Sequence, residues 1–316
     1  DHTKAPILPT SGCQLQLPHG TVTHHIKQEL KHARAAPPLK KYMCDKYAWG
    51  EEEFDAVDWQ SLGLSLKRLE KHRKTLVQYL HDWTPVGKRV HRYDIKYPAS
   101  CPSCPAAVED RDHLWSCPAQ SRQKWRRECY STMLKTLTEL DTAPQVQELF
   151  LEALKTLLDN RETTSIRVDP SVADIGTAQA AIGWHHILKG RFSKKWGEAQ
   201  TRYLGSRATK KNNGETWMTK IIEVLLSEWL KMWRLRNEDR HGRDNNTRRQ
   251  AEERQALREL QQFYDTNDRR VAPRLQWLFD TPITERMEWT VGNIRIWLNA
   301  WKPVVDKSYN TDLETG

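Results

Sequence analysis

The sequence predicts a mainly α fold, a helical bundle with one small module held together by a cluster of cysteines and a histidine. Three observations predict it. Apolar residues return at helical spacing, most clearly at Ile222, Leu226, Trp229, Leu230 and Trp233. Only 38% of residues are hydrophobic yet 14 are tryptophan, so the core has to be built from a few large rings on amphipathic helices. Finally, Cys101, Cys104, His113 and Cys117 stand at the spacing C-x2-C-x8-H-x3-C.

At 316 residues the chain is long enough for two domains. The reading divides it into an irregular lead-in with short helices (1–60), a basic helix, metal module and helical hairpin (61–160), and a Trp-rich and Arg-rich helical domain (161–316). Residue 1 is Asp, not Met, which points to a fragment of something longer. Residues 1–23, with Pro6, Pro9, Gly12, Pro18 and Gly20, read as irregular, and Cys13 has no partner at metal spacing. A short helix is expected from His24-His25 to about Arg34, ended by Pro37-Pro38. Adjacent histidines point about 100° apart on a helix, which argues against a metal site there. A second short helix over 39–47 carries Cys44 as a packed thiol. The first long helix is expected over 61–82, with Leu62, Leu66, Leu69, Leu76 and Leu80 on one face and Arg73 interrupting the stripe.

The Cys-x2-Cys pair presents two thiolates from one tight turn, and His-x3-Cys places two more ligands one helical turn apart. Four such ligands close a tetrahedron with no open position, so a structural Zn²⁺ is expected and a catalytic one is not. Between Lys67 and Lys96 there are nine Lys and Arg against Glu70, Asp82 and Asp94. A solvated helix face explains such a run in many proteins. Here the charge leads directly into the metal turn, which would hold Lys67, Arg68, Lys71, Lys74, Lys88, Arg89 and Arg92 beside the stacking rings of Tyr93, Tyr97 and Trp115.

The flanks carry a resemblance. Leu76-Val-Gln-Tyr-Leu-His-Asp-Trp-Thr-Pro85 ends a basic amphipathic helix, Lys88-Arg-Val-His-Arg92 follows, then the four ligands, then Ser121-Arg122 and Trp125. This order resembles the zinc-binding module downstream of the reverse transcriptase domain in non-LTR retrotransposon proteins. Trp229-x3-Trp233-x2-Arg236-Asn237-x3-His241-Gly242 is similar to the Trp-rich helix that follows that module. The resemblance covers 72–125 closely and the rest loosely. It implies an accessory region that binds RNA or DNA, with an upstream reverse transcriptase domain as partner if the chain is a fragment. Arg122, Arg236 and Arg240 are added on this reading as further nucleic-acid contacts.

After Cys117 the chain reads as helix nearly to its end. Helices over 119–140 and 144–158 form an antiparallel pair, with Pro144 in the first turn of the second. The polar stretch 160–170 is the expected domain boundary, and a helix over 171–189 follows it. The long helix over 216–240 stops at His241-Gly242, and Asn246-Thr247 caps the next, which runs to about Tyr264. Trp277, Trp289, Trp297 and Trp301 dock the terminal helices, and the tail after Lys302 is expected to be loose. The net charge is +9, and the window 189–274 alone holds 21 Lys and Arg against 12 Asp and Glu, a balance suited to a polyanionic partner.

A Tyr-x-Asp-Asp turn, a Walker loop, a Gly-x-Ser-x-Gly elbow and a His-Glu-x2-His helix are all absent, so no enzyme activity or small-molecule substrate is expected. Asp169-Pro170 and Asp174 with Lys189 or Lys194 are the nearest to a restriction-like nuclease set, but in reversed order and in a helical region. No run of about 20 apolar residues predicts a membrane span, and six cysteines are too few for a disulfide scaffold, so an intracellular site, nuclear or cytoplasmic, is expected. The expected function is phosphate-directed nucleic-acid binding. The alternative is a zinc-stapled structural or protein-interaction module without that role.

Overall fold

The computed structural model describes residues 15–17, 20–22, 26–104, 106, 108–242, 245–267 and 271–313. Cys13, His24 and His25 lie outside these residues, so the readings placed on them stand outside the described structure. The elements are a hairpin of β1 (Leu15–Leu17) and β2 (Gly20–Val22), then α1 (Ile26–Tyr47), α2 (Glu51–Ala56), α3 (Trp59–Arg68), α4 (Arg73–Leu80), α5 (Gly87–His91) and α6 (Arg111–Ser116). After the metal module come α7 (Gln120–Glu139), α8 (Pro144–Leu158), α9 (Ala173–Ile182), α10 (Lys194–Leu204), α11 (Gly214–His241), α12 (Asn245–Asn267), α13 (Ile283–Met287) and α14 (Val291–Leu313). The fold is mainly α, as expected.

Several boundaries differ from the sequence reading. The lead-in contains the antiparallel hairpin, with Leu15 opposite Val22. Pro37 and Pro38 do not end a helix, because α1 runs through both. They are exposed, so water can take the carbonyls whose N–H partners the prolines lack. The expected helix over 61–82 breaks at Leu69 (φ −99, ψ 24), and a 3-10 turn at Glu70–His72 leads into α4. That break re-phases the chain, so that Leu76, Tyr79 and Leu80 face inward while Arg73 stays in water. Gly183, at φ 100, likewise ends α9 and divides the helix expected over 171–189. Among the described residues the tail after Lys302 is helical and not loose: α14 continues through Pro303, and Val305 and Ser308 are buried.

The helical pair α7 and α8 packs as expected around a turn in which Asp141 takes φ 47. Helix α11 begins at Asn213, whose side chain accepts from Thr216 N, and ends at Gly242 with φ 73. It runs through the molecule against α3, α7, α10 and α12. One apolar core takes residues from Leu62 to Trp233, so it spans the polar stretch 160–170, which Ile166 and Val172 anchor to its surface. A second core, from Ala256 to Val305, unites α12, the 3-10 turn Pro273–Phe279, α13 and α14. Trp289, Trp297 and Trp301 pack on it, while Trp277 meets the edge of Trp301 and remains half exposed.

Buried indoles organise the first core. Trp229 lies with its ring 3.9 Å from Tyr79 and 5.9 Å from Trp233, both stacked. Trp125 donates to Glu228 O at 3.0 Å, Trp217 to Thr142 Oγ1 at 2.8 Å and Trp196 to Gln179 Oε1 at 3.1 Å. These bonds satisfy the indole N–H groups of Trp125, Trp217 and Trp196. The Tyr79–Trp229 stack joins α4 to α11 and the Trp125 bond joins α7 to it, which presents the C-terminal end of α11 to the metal module.

Candidate metal centre

The module is built on two short devices. A turn at 101–106 is closed by Cys101 N donating to Ala106 O at 3.1 Å and aims Cys101 and Cys104 the same way. Helix α6 is capped by Asp110, whose side chain accepts from His113 N at 2.9 Å, and presents His113 and then Cys117. The four ligand atoms lie within 4.8 Å of one another. Cys101 Sγ is 3.9 Å from Cys117 Sγ, and Cys104 Sγ is 3.3 Å from His113 Nε2. A tetrahedral ion with metal–sulfur bonds of about 2.3 Å has edges of about 3.5–3.8 Å, so the donor set fits one metal ion. Without a cation the thiols compete for one negative charge. A hydrogen bond from Cys117, above all, pulls Cys101 down to about 3, while the same contact pushes Cys117 up. His113 is raised, first by its bond to Cys101. A bound cation removes that conflict by stabilising all three thiolates.

The module is clamped to the helices by buried charge. Glu109 is fully buried. Its carboxylate accepts from Arg236 Nε at 2.8 Å and from Gly87 N at 2.7 Å, and lies 3.8 Å from Arg240. Arg240 donates to Ser100 O and Arg258 to Pro102 O at 3.0 Å. Arg122 donates to Ser103 Oγ at 3.0 Å and to Asp239 at 3.2 Å. Arg126 holds the far end of α6 through Trp115 O and Cys117 O.

These bonds correct part of the expected nucleic-acid set. Arg122, Arg236 and Arg240 are buried and face protein acceptors, so they hold the metal turn instead of reaching a phosphate. Tyr97 is half-buried, with Arg240 stacked 5.1 Å from its ring, and Trp115 is wedged against Trp125 and Tyr79. The remaining residues are outside. Lys67, Lys71, Lys74, Lys88, Arg92 and Tyr93 are exposed, and Arg89 is half-buried. Arg68 is exposed but pairs with Glu223 at 3.1 Å. Lys88, Arg89 and Arg92 line one cavity together, while His72, Thr75, Pro85 and Val90 line a groove that joins α4 to α5.

Glu109 was not singled out by the sequence reading. It sits among charged residues at Glu109-Asp-Arg-Asp112, and nothing in that run distinguishes the one carboxylate that is enclosed. The nuclease-like residues go to separate tasks. Asp169 accepts from Ser171, Asp174 pairs with Arg202 at 3.1 Å and Lys189 pairs with Asp82 at 2.6 Å. Cys129, buried between helices, is pushed up to about 12 by that burial. Among the described residues, no helix is long and apolar enough to cross a membrane. Compared with family models, with curated proteins and with solved structures, the chain finds no match.

Proposed function

We propose that this chain is a zinc-stapled region that binds RNA or DNA through its phosphates, as an accessory to a reverse transcriptase domain of the non-LTR retrotransposon kind. The observation that carries the reading is the projecting loop after α5. Tyr93 is 80% exposed and Ile95 81%, between Arg92 and Lys96, on a segment tied to the metal module through Glu109. Apolar and aromatic surface displayed between cations serves a single-stranded or loosely paired polyanion, where rings stack on bases and cations meet phosphates. Zn²⁺ is the ion proposed, because three thiolates and an imidazole in a closed tetrahedral set are its usual structural ligands. Its role is to hold the turn from which α5 and this loop extend.

The second reading is a structural or protein-interaction module, favoured by the use of Arg122, Arg236, Arg240 and Arg258 inside the protein. Salt separates the two. Neutralising roughly four to six phosphates gives a slope of about −3 to −5 in log K against log salt for either duplex or single strand. A slope near zero for both RNA and DNA would leave only the interaction module.

A further inference from the structure

Two cavities adjoin on one side of the metal module. The first, of about 490 Å³, is walled by Tyr42, His81, Trp83, Arg89 and Arg92, among others. The second, also about 490 Å³, reaches Tyr47, Trp115, His185 and Lys189. Lys46, Asp82, Thr84, Arg111 and Asp112 belong to both, which makes them two ends of one cleft.

Asp82 is the node of that cleft. It adopts φ 61, a left-handed backbone unusual for an aspartate. Its carboxylate meets Lys189 at 2.6 Å, Arg111 at 2.9 Å and Lys46 at 3.2 Å, and accepts from Tyr47 Oη at 3.0 Å. One carboxylate balances one cation, so two positive charges remain over. Across the whole cleft Lys46, Lys88, Arg89, Arg92, Arg111 and Lys189 face only Asp82, Asp110 and Asp112. Lys189 feels the crowding: burial first, with Arg191 and Arg111 adding to it, outweighs Asp82 and brings it down to about 8. A second anion entering the cleft would relieve that strain.

One wall is aromatic. Tyr42 and His81 have ring centroids 5.8 Å apart, and His81 and Trp83 5.3 Å. Burial, with Arg191 and Lys46 adding to it, lowers the His81 pKa, which favours the uncharged ring in this row. Trp83 is 48% exposed, a large indole left open beside arginines. A volume within the usual ligand range of about 300–1,000 Å³, with a ring wall and surplus cations, suits a planar heterocycle carrying a phosphate. A duplex keeps its base faces stacked and offers only edges, so it cannot use that wall.

We infer that this cleft takes one unpaired nucleotide of a single strand, its base against the Tyr42–His81–Trp83 wall and its phosphate on Arg89, Arg92 and Arg111. This deepens the nucleic-acid reading above and rests on it. The test uses the zinc-loaded full chain with a single strand carrying a fluorescent adenine analogue, and with the duplex of the same length. Trp83→Ala is expected to weaken single-strand binding about 5- to 150-fold, to abolish the quenching of the analogue, and to leave duplex affinity and its salt slope unchanged. Trp83→Phe keeps a ring and restores most of the loss. Should Trp83→Ala lower the melting temperature, Tyr42→Leu tests the same wall. Unchanged single-strand affinity and quenching in both variants, with salt-dependent binding intact, overturns the cleft assignment and leaves the phosphate-binding reading standing. Absence of binding to either nucleic acid by the unsubstituted chain overturns both. Displacement of the strand by polyglutamate at equal charge, or by a free nucleoside monophosphate at equal concentration, reassigns the cleft to that ligand and overturns the inference.

Discussion

Glu109 and His186 show what single side chains decide here. Glu109 is the counter-ion of Arg236 and faces Arg240 inside the protein. Removing one partner of a buried pair leaves the other uncompensated, so Glu109→Ala is expected to cost about 3–5 kcal/mol in urea unfolding, whereas Lys74→Ala, on an exposed side chain, stays within about 0.5 kcal/mol. His186 is buried beside His185 and takes a hydrogen bond from Arg191 at 3.0 Å. Burial first, then His185, Arg191 and Lys189, carry its pKa from 6.5 down to about 2. Between those values the unfolded chain holds a proton that the folded chain refuses, so stability falls as pH drops below about 6.5. His186→Gln removes this proton uptake, and the check is a shallower dependence of the urea midpoint on pH in the variant over the pH 4–6.5 window, roughly. Trp229, fully buried and stacked on two rings, should lose about 3–5 kcal/mol on change to Ala.

At the scale of elements, two joints matter. The first is the metal turn with α5 and α6. Zinc content of about one equivalent per chain is expected, and chelation should expose amides of 87–117 to hydrogen exchange while α8 and α10, which take no part in the module, stay protected. Cys104→Ser should lower zinc content and produce the same local exposure; full zinc occupancy in that variant would remove Cys104 from the ligand set. The second joint is the crossing of α10 and α11, where a Cβ on Gly214 would come 1.8 Å from Gly197 O, a backbone atom that cannot swing away. Gly214→Ala should therefore push the helices apart, at a cost of about 1–3 kcal/mol read from the thermal midpoint, although alanine is the better helix former.

For the whole molecule the question is where positive charge remains free. Lys88, Arg89 and Arg92 line the cleft and adjoin the projecting loop, so changing all three to Gln should flatten the salt slope of nucleic-acid binding by about two to three units, with zinc content and melting unchanged. An unchanged slope would move the contact surface elsewhere, the exposed Arg248, Arg249 and Arg254 of α12 being the next candidates. Such a residue-level assignment needs the fold. Arg236 and Arg240 stand in the sequence as basic residues on an amphipathic helix, the same description that fits Lys71 and Lys74, yet the first two are buried and the other two are exposed.

The sequence by itself determined the helical class, the long helix and its stop at Gly242, the α7–α8 hairpin and the Cys101, Cys104, His113 and Cys117 cluster. Each of these rests on local spacing: period 3.6, a proline allowed in a first turn, a glycine free to take positive φ, or ligand types one turn apart. Tertiary structure decided the rest. It carried α1 and α14 through their prolines, split 61–82 so that Leu76 and Tyr79 could reach the core, and drew one core across the stretch 160–170. It also selected Glu109 and Asp82 from among many carboxylates as the two on which distant cations converge. Burial and convergence depend on partners such as Arg236 and Lys189, more than 100 residues away along the chain, and no local pattern encodes which charge will be enclosed.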